Sequence, residues 1–450
     1  MRTPRREPIN LSDHFTYPRL FRFVLPSIVM MVFTSIYGVV DGFFVSNFVG
    51  TEPFAAINLI MPFVMILGGM GFMIGTGGTA LVSKIMGEGD DLRAKRTFSM
   101  MIWLTIILGG ILTALGLIFM EPVARLLGAD ENTFGDCVRY GRIVVAFTVM
   151  YMLQNVFQSF LIAAEKPKLG LAVTVAAGVT NMVLDALFIA VFHWGVAGAA
   201  IATGISQCVG GIIPLIYFSC PNKSRLRMTR TRLSLRPILQ ACGNGSSELM
   251  SNISSSLVSM LYNHQLLKYF DGNDGVAAYG VLMYVQFIFV AIYVGYAVGV
   301  APVVSYAYGA SRRDEMKNLL KKSMWIMGVS GVVLTAAAIA MAVPLAHLFV
   351  SSSPSVYELT VGAVRMFAAS FLLAGFNIFL SSFFTALNNG VVSAAISFLR
   401  TLIFQTAAVI LLPILIGPDG VWWAVAAAEV VAFVISISFL FGMRKKYHYM

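Results

Sequence analysis

From Phe23 to Phe48 the chain carries a single charged side chain, Asp41, and a single proline, Pro26. About 20 apolar residues in a helix cross a bilayer, so this stretch is read as a membrane span. A carboxylate inside such a segment costs roughly 2.5–3.5 kcal/mol on insertion scales, and it persists only where something offsets the cost. Pro26 removes one backbone hydrogen bond and favours a kink near the inner end, which makes it the expected hinge of the first helix. A bendable helix with a buried acid has the character of an ion-responsive moving part.

The rest of the chain repeats the pattern. Its 450 residues are 58% hydrophobic and only 12% charged, against about 25% charged in soluble domains. Hydropathy gives twelve spans, at 20–47, 54–84, 97–120, 138–164, 168–192, 195–219, 237–268, 277–308, 322–350, 356–387, 390–416 and 420–443. A formal charge of +10 points to nucleic acid only until the charges are placed. Of the 31 Lys and Arg, 25 fall in the N-terminal segment, in alternate loops and in the tail, from Arg2, Arg5 and Arg6 through Lys84–Arg96 and Lys223–Arg236 to Arg444–Lys446. Positive loops stay cytoplasmic, so both termini are expected inside, as an even number of spans requires. The partner expected for this basic face is anionic lipid headgroups and not nucleic acid.

Cys137, Cys208, Cys220 and Cys242 show no C-x-x-C spacing, and three of them lie in or beside apolar spans, so neither a disulfide framework nor a zinc site is indicated. The histidines His193, His264 and His347 are scattered and suggest no metal site. No secretory signal is apparent, because the first apolar span is too long for one and no A-x-A-like cleavage site follows it.

An ungapped internal repeat sets the architecture. A shift of 222 positions lays Gly77 on Gly299, Ser83 on Ser305, Gly87 on Gly309, Asn155 on Asn377, Ser159 on Ser381 and Gly198 on Gly420. Six spans per repeat is an even number, so the halves insert with the same orientation and are related by an axis along the membrane normal. Repeats of this kind line a substrate path at their interface and alternate access by rocking. The expected divisions are a cytoplasmic N-terminal segment 1–19, an N-lobe 20–219, a cytoplasmic linker 220–236, a C-lobe 237–443 and a tail 444–450. The stretches GTGGTALVSKIMGEGDD (75–91) and GVAPVVSYAYGASRRD (299–314) close the second and eighth spans, and their small residues permit close helix packing. They lack the GK[ST] ending and preceding strand of a phosphate cradle.

Several of these features resemble the multidrug and toxic-compound extrusion (MATE) family. They are LP at Leu25–Pro26, VVD at Val39–Asp41, GVAGAAIAT at Gly195–Thr203, the AYG that ends at Gly280 and the two glycine–serine span endings. The resemblance implies a V-shaped pair of lobes and secondary active efflux of organic, often cationic, compounds in exchange for Na+ or H+. It also implies that Asp41, Asn181, Asp185 and Thr203 form an N-lobe cation site like that of the archaeal and DNA-damage-inducible-type branch, with Pro26 taking part in bending. The second lobe lacks a copy, since Asp41 falls on Asn263 and Asp185 on Ala407.

Depth is consistent with that set. Asp41, Asp185 and Thr203 all sit roughly 9–12 Å below the outer boundary at 1.5 Å per residue, and Asn181 shares a helix face with Asp185. Two acids, an amide and a hydroxyl at one depth offer oxygen ligands for a cation or a shared proton. The plainer alternative makes Asn181 and Thr203 ordinary interhelical hydrogen-bond formers and lets Asp185 meet lumenal water. Glu248, near the midplane of span seven, is a candidate for coupling or for substrate attraction, with Tyr284 and Gln286 as possible C-lobe substrate contacts. Met61, Met65, Met283 and Phe287 are candidates for an adaptable cavity wall, although lipid-facing or packing roles suit any one of them better. Glu429 falls on Gln207 under the repeat, which favours a hydrogen bond shared by both halves. For Arg400, snorkelling to the inner face is preferred over pairing with an acid.

Together these features describe an all-α polytopic membrane protein with no cofactor, which exports small organic cations or drugs from the cell through the plasma membrane as a monomer. Its coupling ion is Na+ or H+. A flippase for lipid-linked precursors, from the same superfamily, is the alternative within transport. A membrane-embedded lipid enzyme is the rival from another class.

Overall fold

The computed structural model describes residues 9–270, 274–350 and 354–450; Arg2, Arg5 and Arg6 lie outside them. Every regular element there is helical. In the first half these are α1 (Tyr17–Phe48), α2 (Thr51–Gly87), α3 (Asp91–Leu126), α4 (Phe134–Ala146), α5 (Thr148–Ala163), α6 (Pro167–Asp185) and α7 (Gly195–Ser219). The second half holds α8 (Leu235–Tyr269), α9 (Asp274–Gly309), α10 (Arg313–Val350), α11 (Pro354–Ala368), α12 (Phe371–Ala386), α13 (Gly390–Phe398), α14 (Gln405–Ile416) and α15 (Gly420–Tyr447). α4 and α5 form one span bent by 55°, and α11 and α12 one bent by 47°. The two bends fall at matching places in the repeat. α6 runs on through a π-helical turn at Ala186–Val191, and α13 reaches α14 through another at Leu399–Phe404. The total is twelve spans, six in each half.

The sequence punctuates these helices locally. Gly89 turns the chain at φ +87°, and the Asp90 side chain then caps α3 by accepting from Arg93 N. Asn389 caps α13 in the same way through Val392 N, and Pro167 opens α6 where no N–H is needed. α1 continues as helix through Pro26. α8 stands apart in composition: with Glu248, Asn252 and a run of serines it is the one described span that falls short of the length-and-hydropathy test the others meet, singly or as bent pairs. Its polar residues face a cavity and the neighbouring α2 instead of lipid.

Small residues join the halves. A Cβ on Gly77 of α2 would fall 1.9 Å from the Ala241 carbonyl oxygen of α8, and one on Gly245 of α8 equally close to that of Met73. The repeat-related Gly299 of α9 packs on Val24 and Ser27 of α1. At the end that carries the basic loops, Gly87 lies against Tyr306 O and Gly309 against Lys84 O. Backbones approach this closely only where no side chain intervenes.

Buried apolar side chains form two clusters. One runs through both halves and includes Phe23, Val82, Phe157, Val303 and Phe383. The other, around Val45, Ile60, Tyr140 and Ile189, belongs to the first half alone, at the end away from the basic loops. The lobes therefore share a core at the basic end and have separate walls at the other, the geometry of a V.

Two straps cross the seam at the basic end. The segment before α1 buries Leu11 and Phe15. It donates Leu11 N to Glu165 Oε1 (2.8 Å) in the first half and Phe15 N to Glu315 Oε1 (3.0 Å) in the second. His14 Nδ1 lies 2.6 Å from Glu315 Oε2. Between the halves, Arg225 pairs with Asp91 of α3 (2.9 Å) and lies over the Tyr306 ring of α9.

Candidate functional site

In the first lobe, α1 and α6 bring Asp41 and Asp185 together, with the two carboxyls in direct side-chain contact. Asp185 is fully buried, and Asn181 lies one turn before it on α6, also buried. From α7, Thr203 stands beside the Tyr140 hydroxyl, and Tyr140 is in turn within electrostatic reach of both acids. Asp41 Oδ1, both Asp185 carboxyl oxygens, Asn181 Oδ1 and Thr203 Oγ1 are all buried without a hydrogen-bond partner in the protein. Buried acceptors are nearly always satisfied, and each one left bare costs about 1–3 kcal/mol, more if charged. Five bare oxygens on two carboxyls, an amide and a hydroxyl suit a monovalent cation, or a proton shared by the acids. Among the described residues, no group of three or more His, Cys, Asp and Glu side chains is placed to hold a metal ion.

Three tyrosines that sequence reasoning missed complete the surroundings. Tyr37, one turn before Asp41, is set beside Gln154, and Tyr151 beside Asn155. Asn155 Nδ2 donates to Gly68 O at 3.2 Å and ties α5 to α2. Tyr140 is on the short α4, which starts among charged residues, and nothing in its spacing marks the side that faces Asp41.

The second lobe encloses a cavity of about 270 Å³ whose wall includes Glu248, Met283, Gln286, Phe287 and Arg400. Tyr284 does not line it, because its neighbours Met283 and Gln286 turn the other face of α9 inward. Of the methionines expected near a cavity, Met65 is largely exposed and Met61 packs against the first-lobe core. Arg400 does not snorkel, contrary to expectation. Its Nε and Nη2 lie 2.9 and 2.8 Å from Glu429 Oε1, while Glu429 Oε2 accepts from Asn377 Nδ2 at 2.7 Å. A buried acid on α15 within reach of the guanidinium is a closer partner than the inner boundary. The first lobe does not repeat this network: Gly178 stands where Arg400 would, and Gln207 Oε1 has no partner. The hydrogen bond expected to be common to both halves is therefore particular to the second. Glu248, half-buried at the cavity wall, is left within electrostatic reach of Arg400 but unpaired by it.

Two parallel bundles of six spans, joined at one end and holding bare acids between helices, define a multi-pass membrane transporter and not an enzyme. The MatE family model matches residues 26–187 and again 248–410, with starts separated by the 222-residue offset of the repeat. The chain belongs to the MatE family of multidrug efflux transporters. It is 25% identical over 436 residues to the multidrug export protein MepA of Staphylococcus haemolyticus (strain JCSC1435), covering 96% of this chain and 94% of that one. With MepA of Staphylococcus aureus (strain NCTC 8325) it shares 25% over 415 residues, or 92% and 91% of the two chains. Among solved structures, MATE in complex with MaL6 superposes with a TM-score of 0.89 at 22% identity over 95% of this chain and 96% of that one. An outward-facing multidrug resistance MATE family transporter of the MOP superfamily gives 0.88 at 23%, over 95% of each.

Proposed function

We propose that this protein exports organic, chiefly cationic, drugs across the plasma membrane in exchange for Na+ or H+ by alternating access. The export of drugs follows its MepA relatives, which carry multidrug export in their name. Both termini are cytoplasmic, and the divisions are an N-terminal segment 1–19, lobes at 20–219 and 237–443, a linker 220–236 and a tail 444–450. The V then opens outward, with the straps on the cytoplasmic side.

The observation that carries the coupling is the set of bare oxygens on Asp41, Asn181, Asp185 and Thr203. An entering ion satisfies them, and an organic cation in the same cavity competes for the same charge. Helix α1 carries both Asp41 and Pro26, so a change at the acids is transmitted to a helix already weakened at its hinge. One positive charge moving inward down 100 mV supplies about 2.3 kcal/mol, enough for roughly a forty-fold gradient of a neutral substrate. The 270 Å³ cavity with Glu248 and Gln286 gives the second lobe a wall for drug contact. Its basic side chain, Arg400, is neutralised by Glu429, which disfavours a flippase for anionic lipid-linked precursors. The test is dye efflux in inverted vesicles. Asp41→Asn and Asp185→Asn should reach the membrane and lose ion-driven efflux, and wild-type efflux by Asp41→Asn would refute the scheme.

A further inference from the structure

We propose that the cleft where α2, α3 and α8 meet at the basic end is a phosphate-binding site, and that a bound phosphate holds the two halves closed there. The cleft encloses about 310 Å³, with Lys84 and Glu88 from the last turns of α2, Arg93 from the first turn of α3, and Arg236 and Gln240 from the first turns of α8. Three cations face one carboxylate. Glu88 is shared between Lys84 Nζ at 3.8 Å and Arg93 Nη1 at 3.7 Å, both beyond the 2.7–2.9 Å or so of a charge-assisted hydrogen bond. Neither cation is saturated, and Arg236 has no carboxylate partner among the described residues.

The chemistry of the donors selects the ligand. Two guanidinium forks, an ammonium and an amide match a tetrahedral oxyanion with several acceptor oxygens better than they match a single carboxylate. The Ser234 side chain does not cap α8, so the first N–H groups of a 35-residue helix add to the positive field of the cleft. Leu81 and Ile85 supply an apolar side to the cleft, which suits a phosphodiester attached to a lipid. A soluble phosphate ester offers the same head chemistry.

Closure follows from where the cations stand. Lys84 and Arg93 belong to the first half, whereas Arg236 and Gln240 belong to the second. The Lys84 carbonyl is also the atom against which Gly309 packs. All the donors converge on one anion only while this seam is shut, so the anion favours the shut state by its difference in affinity for the two states. The site is independent of the acids in the first lobe and is tested without transport.

The full chain is placed in nanodiscs of phosphatidylcholine alone or with phosphatidylglycerol, and retained lipid is read by native mass spectrometry. Spin-label distances between the basic ends of α2 and α8 report closure. In a second arm, inorganic phosphate or glycerol phosphate is added to the phosphatidylcholine discs. Wild type should retain phosphatidylglycerol preferentially, or respond to soluble phosphate, and should shift toward the short distance; the arm that responds identifies the source. Arg93→Gln with Arg236→Gln should weaken retention by about tenfold or more, the loss of one charge-assisted contact. The tail control Arg444→Gln with Lys445→Gln should change little, and thermal stability in phosphatidylcholine discs checks that each variant is folded. The proposal is overturned if wild type responds in neither arm, or if the cleft variant loses no more than the tail control.

Discussion

Replacing Gly309 by alanine tests how the halves are joined. A Cβ at this position falls 2.0 Å from Lys84 O, while real contacts of this kind do not come under 3.0 Å, so α2 and α9 must separate by about 1 Å at that point. The obstructing atom is backbone, and no rotamer change relieves it. Overpacking of this kind costs about 1–3 kcal/mol, which amounts to roughly a five- to 150-fold shift in a two-state equilibrium. Because the clash lies between the halves and not within either one, the strain is released by opening the basic end. Gly280 on the same helix is the control, since a Cβ there meets nothing within 4 Å. A single cysteine introduced beneath the seam should react with a membrane-impermeant thiol reagent from the basic side at least several-fold faster in Gly309→Ala than in Gly280→Ala. Thermal stability must remain sufficient for both variants to stay folded. Equal reactivity in the two variants would refute the claim that this glycine crossing is the seal.

Further outcomes follow from other contacts. Arg400→Met leaves Glu429 buried with only Asn377 for company and should destabilise the second lobe by about 3–5 kcal/mol; pairing it with Glu429→Gln should recover most of that loss in thermal melts. Tyr140→Phe keeps the ring and removes the hydroxyl beside Thr203, so the ion concentration for half-maximal efflux should rise roughly two- to tenfold, with drug affinity measured in the absence of ion unchanged. Burial holds the Glu165 carboxyl above its ordinary value of 4.5, despite the Leu11 N–H and the nearby Arg225 and Lys166. The folded state therefore binds that proton more tightly than the unfolded state does. The stabilisation is complete below the unfolded pKa and is lost as pH rises from there through the raised folded value. Glu165→Gln retains an acceptor for Leu11 N and should flatten that limb of a stability–pH profile; an unchanged slope would count against the assignment.

The spans and their pairing were legible because both rest on local signals: apolar length, and a repeat in which Gly87 and Gly309, or Asn155 and Asn377, keep one offset. The role of small residues was legible as well, since Gly77 and Gly245 can serve little else in mid-helix. Asp41 and Asp185 were marked by the cost of an acid in an apolar span, and depth along the helices brought Thr203 to them. Tyr140 carries no such cost and was passed over. The Arg400–Glu429 pair was misjudged because counting residues along a helix gives depth but not azimuth, and the long guanidinium stem covers the remaining distance. The segment from Ile9 to Thr16 has no periodicity at all, so the burial of Leu11 and Phe15 and the grip on Glu315 come only from tertiary contacts.

The exchange of ion for drug at Asp41 and Asp185 is tested most directly by equilibrium binding. A fluorescent organic cation is titrated onto the purified protein at several Na+ concentrations and, separately, at several pH values. Competition for the acids predicts that one of the two ions weakens drug binding to wild type and that neither does so in Asp41→Asn. A wild-type affinity unmoved by both ions would contradict it.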